Sequence, residues 1–345
     1  MAVLVLFAVG WSWSIARARA AGATGVTPAT ATITSALTDG SAPSVAYLTD
    51  AALTALAAPA RGESGKLRVR IQQPGTPIAP ILADTLPPGA VATFSSGAAA
   101  ESTSTLVAPQ HPGIWSLALK VGSAIKPLAD FSVITLRPAA EKKGGKLGLY
   151  YIGNWPAARQ VRPGVTYAPP AGFIEVTQQN QSTQLSEHFK LKDFLPHDQA
   201  NVWPKFLVLQ IRNVDKLELV LSDLQSRGID VSGVRVMSGF RTPQYNKGGG
   251  NTGGRAGLSR HMYGDAADIF IDSNHDGVMD DLNHDGRSTI DDARVISQAV
   301  DRVEAAHPEL IGGAGVYPAE SGHGPFIHID SRGYRARWIG SGGGS

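Results

Sequence analysis

The chain has 345 residues, a length typical of about two domains. Its 43% hydrophobic and 17% charged content suffices for a packed core, and a net charge of +2 gives no reason to expect nucleic acid or an acidic partner. The absence of cysteine excludes disulfides, thiolate metal sites and a cysteine nucleophile. Any metal must therefore be held by His, Asp, Glu, Asn or backbone oxygens.

The N-terminal segment MAVLVLFAVGWSWSIARARAAG contains an apolar run from Ala2 to Ala16. The run is shorter than the ~20 residues of a membrane span, and a small-residue site ends near Ala20, which favours a secretory signal over residues 1–22. No Lys or Arg precedes the run, so an uncleaved N-terminal membrane anchor or a misplaced start is the alternative. We expect an exported protein of the periplasm or cell envelope.

Three further regions follow the apolar segment. Residues 23–44 are rich in Ala, Thr, Ser and Gly and are expected to form a flexible lead-in. The strings KLRVRIQQ, GIWSLALKVG and DFSVITLRP alternate apolar and polar residues between Pro and Gly clusters, which predicts a β-rich, sandwich-like module over 45–137. This module is expected to be a spacer or a binding module. Residues 138–169, with several prolines and little periodicity, are expected to be an extended linker.

The second half of the chain, 170–338, has an α+β pattern. An amphipathic helix is predicted in PKFLVLQIRNVDKLELVLSDLQSRG, between Pro204 and Gly228, and a second helix in DARVISQAVDRVEAAHPEL, ended by Pro308. Strands are predicted in GVRVMSGF, GAGVYP and PFIHIDSR. We expect a small domain with a central antiparallel sheet and polar clusters at strand ends, followed by a flexible tail over 339–345.

The segment SRHMYGDAADIF places His261 and Asp268 seven positions apart, and His328 lies in the strand FIHID. One carboxylate and two imidazoles form a ligand set that suits Zn²⁺ and leaves a fourth tetrahedral position for water. Composition and spacing alone leave a second interpretation open, because a histidine on an apolar strand is often a satisfied core residue.

Three ordered motifs, S-x-H-x-x-G-x-A-x-D, SGFRTPQYN and FIHID, resemble those of the zinc D-alanyl-D-alanine carboxypeptidase family and its murein endopeptidase K-like relatives. The resemblance covers 170–338, including HFKLKDFL and RARW. It implies that His261, Asp268 and His328 bind zinc, and that a water molecule activated by the metal attacks an amide next to D-amino acids in peptidoglycan stem peptides. Asp265, between the first two ligands, is expected to face solvent.

The resemblance also implies roles for residues around the ligands. The counterpart of Arg241 lies near the metal and binds a substrate carbonyl or carboxylate, with a surface arginine in a turn as the alternative. Ser259 is expected to contact a substrate carboxylate or, alternatively, to cap a turn. Asn246 is expected to brace its loop, and the small residues Gly264 and Ala266 would let the ligand loop turn beneath the metal.

The general base is a point where the chain departs from the family pattern. Many relatives place a His or Glu two or three positions before the last ligand, whereas this sequence has Phe326 and Pro325 there. His323, between glycines, is the favoured acid/base, and Glu320 is a further candidate. Asp330 lies two residues after the last ligand, on the same face of the strand, and is expected to orient a ligand or the water.

The acidic stretch DSNHDGVMDDLNHDGRSTIDD, 272–292, contains seven Asp in 21 residues. Two D-x-N-x-D-G turns follow one another, and the second has an Asp at position 12, as in a dockerin-type loop. The first has Asn283 at position 12, so Asp280 or Asp281 would have to close it. We predict structural Ca²⁺, with a solvated acidic loop as the alternative and with His275 and His284 facing solvent. The expected ligands are Asp272, Asn274, Asp276, Asp280, Asp281, Asn283, Asp285 and Asp292.

The sequence therefore predicts an exported zinc metallopeptidase that acts on peptidoglycan peptides, either as a D,D-carboxypeptidase or as a murein endopeptidase. No nucleic-acid partner is expected. A catalytically impaired peptidoglycan-binding protein is the main alternative, because the usual base is missing. A calcium-dependent adhesion module of the cell envelope is the third interpretation.

Overall fold

The computed structural model describes residues 63–78, 89–97, 99–248, 256–320 and 322–340. The expected signal segment and lead-in lie outside these residues, as does the end of the expected tail. Within the described part, no helix is long and apolar enough to cross a membrane.

The chain divides into two compact units. The described residues of the N-terminal unit lie within Gly75–Gln110 and Trp115–Val133. Those of the C-terminal unit lie within Pro59–Pro74, His111–Ile114 and Ile134–Ser345. The C-terminal unit therefore begins before the predicted boundary at residue 170, and its first strand, β1 (Val69–Gln72), comes from the segment predicted to belong to the β-rich module.

The N-terminal unit is built from β2 (Ala90–Ser96), β3 (Ala99–Thr103) and most of β4 (Gly113–Val121) and β5 (Ala124–Thr135). Their order in the sheet is β5-β4-β2-β3, and β2 pairs antiparallel with both of its neighbours. Alternate side chains are buried in one apolar cluster, which includes Phe94, Trp115, Leu117, Leu119 and Val133. The predicted β structure is confirmed, but the second sheet of a sandwich is not present among the described residues.

The segment 138–169 is not the free linker that its prolines suggest. Leu147, Tyr150 and Ile152 are buried in the main core of the C-terminal unit, and the Tyr150 hydroxyl donates a 3.0 Å hydrogen bond to Asp198. Extended, proline-containing chain can pack by its apolar side chains without forming long strands, which is why periodicity missed it. The short strands here and beyond are β6 (Arg137–Pro138), β7 (Lys146–Leu147), β8 (Tyr150–Tyr151), β9 (Arg159–Arg162), β10 (Val165–Tyr167), β11 (Gly172–Val176) and β12 (Lys205–Leu207).

The first long helix, α1 (Ile211–Ser226), confirms the predicted amphipathic helix but begins later than Pro204. Residues Lys205–Leu207 form β12 instead, which pairs with β11 at the edge of a three-stranded sheet, because a short buried segment can form a strand as well as part of a helix. Val214, Leu217, Leu221 and Leu224 share the buried face of α1.

The second long helix, α3 (Ile290–Ala306), follows the short helix α2 (Pro243–Gly248) in the chain. Thr289 and Asp292 form a capping box at its start: the Thr289 backbone N–H donates to Asp292 Oδ2 at 2.7 Å. Its apolar face, with Ile296 and Val300, lies in the main core. The helix ends before Pro308, as predicted.

The central sheet of the C-terminal unit contains β13 (Val234–Ser238), β14 (Ala266–Ile271), β15 (Gly313–Tyr317), β16 (Phe326–Asp330) and β17 (Ala336–Ile339). Their order is β13-β14-β16-β15-β17. The pairs among the first four strands are antiparallel, as predicted, but β17 is parallel to β15. The turn after β16 reverses the chain, so β17 runs opposite to β16 and in the direction of β15.

One row of residues crosses all five strands of this sheet. The register places Ser238 opposite Asp268, Asp268 opposite His328, His328 opposite Gly315, and Gly315 opposite Trp338. Residues in such a row lie on the same face of a pleated sheet. A Cβ at Gly315 would overlap the indole of Trp338, so glycine makes room for this ring beside His328. The sheet register thus brings two of the predicted ligands side by side.

Candidate metal centre

His261 lies in a single 3-10 turn, Arg260–Tyr263, that leads into β14. The turn ends at Gly264, whose φ of 71° lies in the left-handed region. A Cβ at Gly264 would also overlap the carbonyl of Val208, so only glycine lets the chain pass this point. The turn therefore delivers His261 to the sheet row at the position of Asp268.

The three predicted ligands meet at one buried point. His261 Nε2 lies 3.1 Å from Asp268 Oδ1 and 3.1 Å from His328 Nδ1, and His328 Nδ1 lies 2.9 Å from Asp268 Oδ1. Donors bound tetrahedrally to zinc at 2.0–2.1 Å lie about 3.3 Å apart, close to this triangle. The group could therefore hold a metal ion.

The remaining ring nitrogens of both histidines point to acceptors. His261 Nδ1 donates to the carbonyl of Gly239 at 2.6 Å, and His328 Nε2 donates to Asp330 Oδ2 at 2.9 Å. In the neutral rings these bonds leave His261 Nε2 and His328 Nδ1 with lone pairs that face each other and the Asp268 carboxylate. Three acceptor atoms this close repel one another unless a cation or a proton lies among them, so the triangle can take up a metal ion or, in its absence, a proton on His328.

Asp330 supports the centre by holding the ring of His328. Its carboxylate also accepts the backbone N–H of Gly313 at 2.8 Å and hydrogen bonds from the Arg332 guanidinium. Burial raises the pKa of Asp330, but the hydrogen bonds from His328 and Arg332 outweigh it and hold this pKa below its ordinary value. Burial lowers the pKa of His328, whereas the bonds to Asp268 and Asp330 raise it to about 9.

Arg241, which follows β13 in the chain, contacts one of the three predicted ligands. Its guanidinium donates to Asp268 Oδ2 at 2.7 Å and to Ser238 Oγ at 2.8 Å. Burial raises the pKa of Asp268, but the charges and hydrogen bonds of His261, His328 and Arg241 hold this pKa well below its usual range. The carboxylate is thus ionised, as a metal ligand must be.

Replacement of Asp330 by asparagine is expected to lower metal affinity by roughly 10- to 100-fold, because the group that orients His328 loses its charge. Competition with a chromogenic chelator measures the change. Asp301→Asn is the matched control, since Asp301 pairs with Arg335 and Arg337 rather than with a ligand. Equal affinities of the two variants would contradict the orienting role.

The other predicted site residues are spread around the centre. Ser259 begins the turn that carries His261 and is buried, and Asn246 Nδ2 donates to the carbonyl of Ala256 at 3.2 Å. His323 Nδ1 donates to the carbonyl of Gly324 at 2.8 Å. Glu320 forms backbone hydrogen bonds with His323. The described contacts of His323 do not reach the three ligands.

Sequence reasoning missed an aromatic wall beside His328. The Trp338 ring lies 5.3 Å from the His328 ring, and its Nε1 donates to the Tyr317 hydroxyl at 3.0 Å. Tyr317 in turn stacks on Phe326 with ring centroids 4.5 Å apart. The alternation in the string ARWI is a signal for a strand at this position. It does not reveal that this strand would pair with β15 and so bring Trp338 beside His328.

The expectation for Asp265 is wrong. This residue is 1% exposed, and its carboxylate pairs with the guanidinium of Arg260. An acidic side chain in this turn can be buried because an arginine five residues earlier neutralises it.

The two acidic turns have the same geometry. The N–H of Gly277 donates to Asp272 Oδ2 at 3.2 Å, and the N–H of Gly286 donates to Asp281 Oδ2 at 2.7 Å. The residue at position 4 is left-handed in both turns: φ is 63° at His275 and 60° at His284. Both histidines are exposed, as predicted.

The ends of these turns differ. Both oxygens of Asp292 accept backbone N–H groups, from Leu282 and Asn283 on one side and from Thr289 on the other. In the first turn, Asp272 Oδ1 is buried and has no hydrogen-bond partner among the described residues, while Oδ2 pairs with Arg235 at 2.8 Å. The first turn thus contains one buried carboxylate oxygen that is free to accept a water molecule or a ligand.

Comparison with known proteins adds no assignment to this geometry. No family model matches the chain, and neither a curated protein nor a solved structure matches it. The resemblance to zinc D-alanyl-D-alanine carboxypeptidases therefore stays a prediction from the motifs, and the buried His261, Asp268 and His328 group is what the structure adds.

Proposed function

We propose that the chain is a zinc metallopeptidase that hydrolyses amide bonds in peptidoglycan stem peptides. The observation that carries this proposal is the triangle of His261, Asp268 and His328, whose donor atoms converge while the other ring nitrogen of each histidine lies against an acceptor oxygen. Two imidazoles and one carboxylate suit zinc and leave its fourth position open. The proposal includes the predicted export, because peptidoglycan lies outside the cytoplasmic membrane.

The proposed chemistry divides between the metal and the protein. Bound zinc would supply a Lewis acid and bring the pKa of a water molecule to about 7. Arg241, held by Ser238 and Asp268 through Nε and one terminal nitrogen, keeps its other terminal nitrogen to donate to a substrate carbonyl or carboxylate. Asp330 is a positioning residue, since its oxygens are already bonded to His328, Gly313 and Arg332.

His323 remains the proposed acid/base. Its Nδ1 donates to Gly324, which leaves Nε2 as the ring atom that accepts a proton. For His323 to act as the acid/base, substrate binding would have to bring its ring within hydrogen-bond reach of the scissile bond.

The proposal is tested by incubating the purified, zinc-loaded protein with pentapeptide and cross-linked muropeptides and identifying products by mass spectrometry. Release of terminal D-Ala indicates a carboxypeptidase, and cleavage of the cross-link indicates an endopeptidase. If the protein binds muropeptides but releases no product, the enzyme proposal is wrong and only the wall-binding interpretation remains. Hydrolysis that survives in His261→Ala would overturn the metal mechanism, and unchanged hydrolysis in His323→Gln would remove this residue as the base.

We also propose that the acidic turns bind Ca²⁺ as a structural clamp. The repeated turn geometry and the unpartnered Asp272 Oδ1 support this proposal. Asp272 directly follows β14, and the N–H of Asp280 donates to the carbonyl of Ile271, the last residue of that strand, at 2.8 Å. Bound Ca²⁺ would therefore stabilise the end of β14, the strand that carries Asp268.

Calcium at 100 times its dissociation constant is expected to stabilise the protein by about 2.7 kcal/mol. Thermal unfolding with and without Ca²⁺ measures this, with Asp276→Ser and Asp285→Ser to test each turn and zinc content as a control. An unchanged unfolding temperature in Ca²⁺, or a shift that both variants retain, would contradict the clamp.

A further inference from the structure

Tyr317 lies on the same face of the central sheet as the metal centre. In the register, Gly315 is opposite His328, and Tyr317 is opposite Phe326. Tyr317 and Gly315 are two residues apart on β15, as Phe326 and His328 are on β16, so all four positions share one face. Tyr317 therefore stands beside the centre on the side of β15, whereas Arg241 reaches it from the end of β13.

Two glycines make room for the aromatic rings on this side. A Cβ at Gly340 would lie 2.0 Å from a carbon of the Tyr317 ring, and a Cβ at Gly315 would lie 2.3 Å from Nε1 of Trp338. The Tyr317 ring also stacks on Phe326 with an angle of 4° between the two planes. Both rings thus pack directly against backbone, which fixes their positions.

Trp338 holds the Tyr317 hydroxyl near the row of ligands. The Trp338 ring lies 5.3 Å from the His328 ring, and its Nε1 donates to the Tyr317 hydroxyl at 3.0 Å. This Nε1 lies over Gly315, the residue directly beside His328 in the register. The hydroxyl is therefore at the end of the Tyr317 ring that is nearer to this ligand.

The proton of the Tyr317 hydroxyl is free to be donated. The oxygen accepts from Trp338, and no residue in the described part of the chain accepts the proton in return. Burial raises the pKa of Tyr317; the bond from Trp338 lowers it, and the negative charge of Asp268 raises it again. A raised pKa keeps the hydroxyl protonated at neutral pH. Tyr317 is also partly exposed, as a residue that contacts a substrate must be.

We propose that Tyr317 is a catalytic residue whose hydroxyl donates a hydrogen bond to the scissile carbonyl oxygen of the substrate. This inference rests on the proposed function and adds a donor to it. A donor at this oxygen stabilises the negative charge that develops there when water attacks. Arg241, on the opposite side of the centre, is then left to bind a substrate carboxylate. Trp338 is a positioning residue, because it acts through Tyr317.

The test compares Tyr317→Phe with the parent in two measurements on the zinc-loaded protein. One is the hydrolysis of pentapeptide and cross-linked muropeptides. The other is calorimetric binding of a phosphinate analogue of D-alanyl-D-alanine, whose charged oxygens replace the carbonyl oxygen. We expect kcat to fall about 10- to 100-fold with little change in KM, and phosphinate affinity to fall to a similar extent, because a hydrogen bond to a charged group is lost.

Tyr151→Phe is the matched control, since it removes a hydroxyl from a ring that lies beside Lys146, and it should behave as the parent does. Hydrolysis and phosphinate binding that both survive unchanged in Tyr317→Phe would overturn the role of Tyr317 alone. A parent protein that neither hydrolyses the peptides nor binds the phosphinate would overturn the proposed function as well.

Tyr317→Phe also removes the acceptor of Trp338 Nε1, so the substitution is repeated in a Trp338→Phe background. In that background the hydroxyl has no tryptophan to hold. A loss of kcat and phosphinate affinity comparable to that of the single variant, with unchanged zinc content, supports the donor role. If Tyr317→Phe costs nothing there, the tyrosine serves only to hold the tryptophan, and the proposal is wrong.

Discussion

Replacing His261 by alanine is expected to lower zinc affinity by at least about 100-fold and to abolish hydrolysis. Loss of an outer group that merely orients a ligand costs 10- to 100-fold, so loss of a ligand itself should cost no less. His261 supplies one of three donor atoms that lie 2.9–3.1 Å apart, and among the described residues the group contains no fourth His, Asp or Glu that would replace it. Chelator competition and elemental analysis measure the affinity and the bound metal.

The matched control for this experiment is His307→Ala, which removes a histidine that pairs with Glu309 rather than with a ligand. It should retain the parent's zinc content. If His261→Ala binds zinc as tightly as His307→Ala, the proposed ligand set is wrong, whatever the activity of either protein.

Replacing Lys216 by methionine is expected to destabilise the C-terminal unit by about 3–5 kcal/mol. Lys216 is fully buried on α1, and its Nζ donates to Glu304 at 2.6 Å and to the carbonyl of Asp330 at 2.7 Å. Burial lowers the pKa of Lys216, and only these partners compensate for the buried charge. Its loss leaves Glu304 short of a partner, although Arg337 still donates to it. Urea denaturation followed by tryptophan fluorescence measures the change.

An exposed ion pair provides the comparison for Lys216. Arg294→Ala breaks a pair with Asp291 in which both side chains are about half exposed, and it should cost less than about 1 kcal/mol. Similar losses for the two variants would contradict the view that Lys216 ties the helix layer to the strand that carries His328.

The elements best predicted from the sequence are those with strong local signals. The apolar spacing of Val214, Leu217 and Leu221 predicted α1, and the acidic residues after Thr289 marked the start of α3. Alternation in FIHID placed His328 on the face opposite Ile327 and Ile329, which pack in the core. These signals act within a few residues of one another, so one sequence is enough to reveal them.

The features that could not be predicted depend on distant partners. The buried segment Lys205–Leu207 is a strand only because β11 pairs with it. Asp265 is buried only because Arg260 faces it, and the carbonyl of Gly239 fixes the His261 ring through a backbone atom that no motif records. Likewise, Trp338 lies beside His328 because β17 adds to β15. The local sequence pattern contains no information about which distant residues or strands pair.

His261, Asp268 and His328 together are proposed to bind a metal ion. Crystals of the zinc-loaded protein, measured on both sides of the zinc absorption edge, test it most directly. We expect one strong anomalous peak about 2.0–2.2 Å from His261 Nε2, an Asp268 carboxylate oxygen and His328 Nδ1. A triangle without a peak in protein that contains zinc, or a peak bound by other residues, would contradict it.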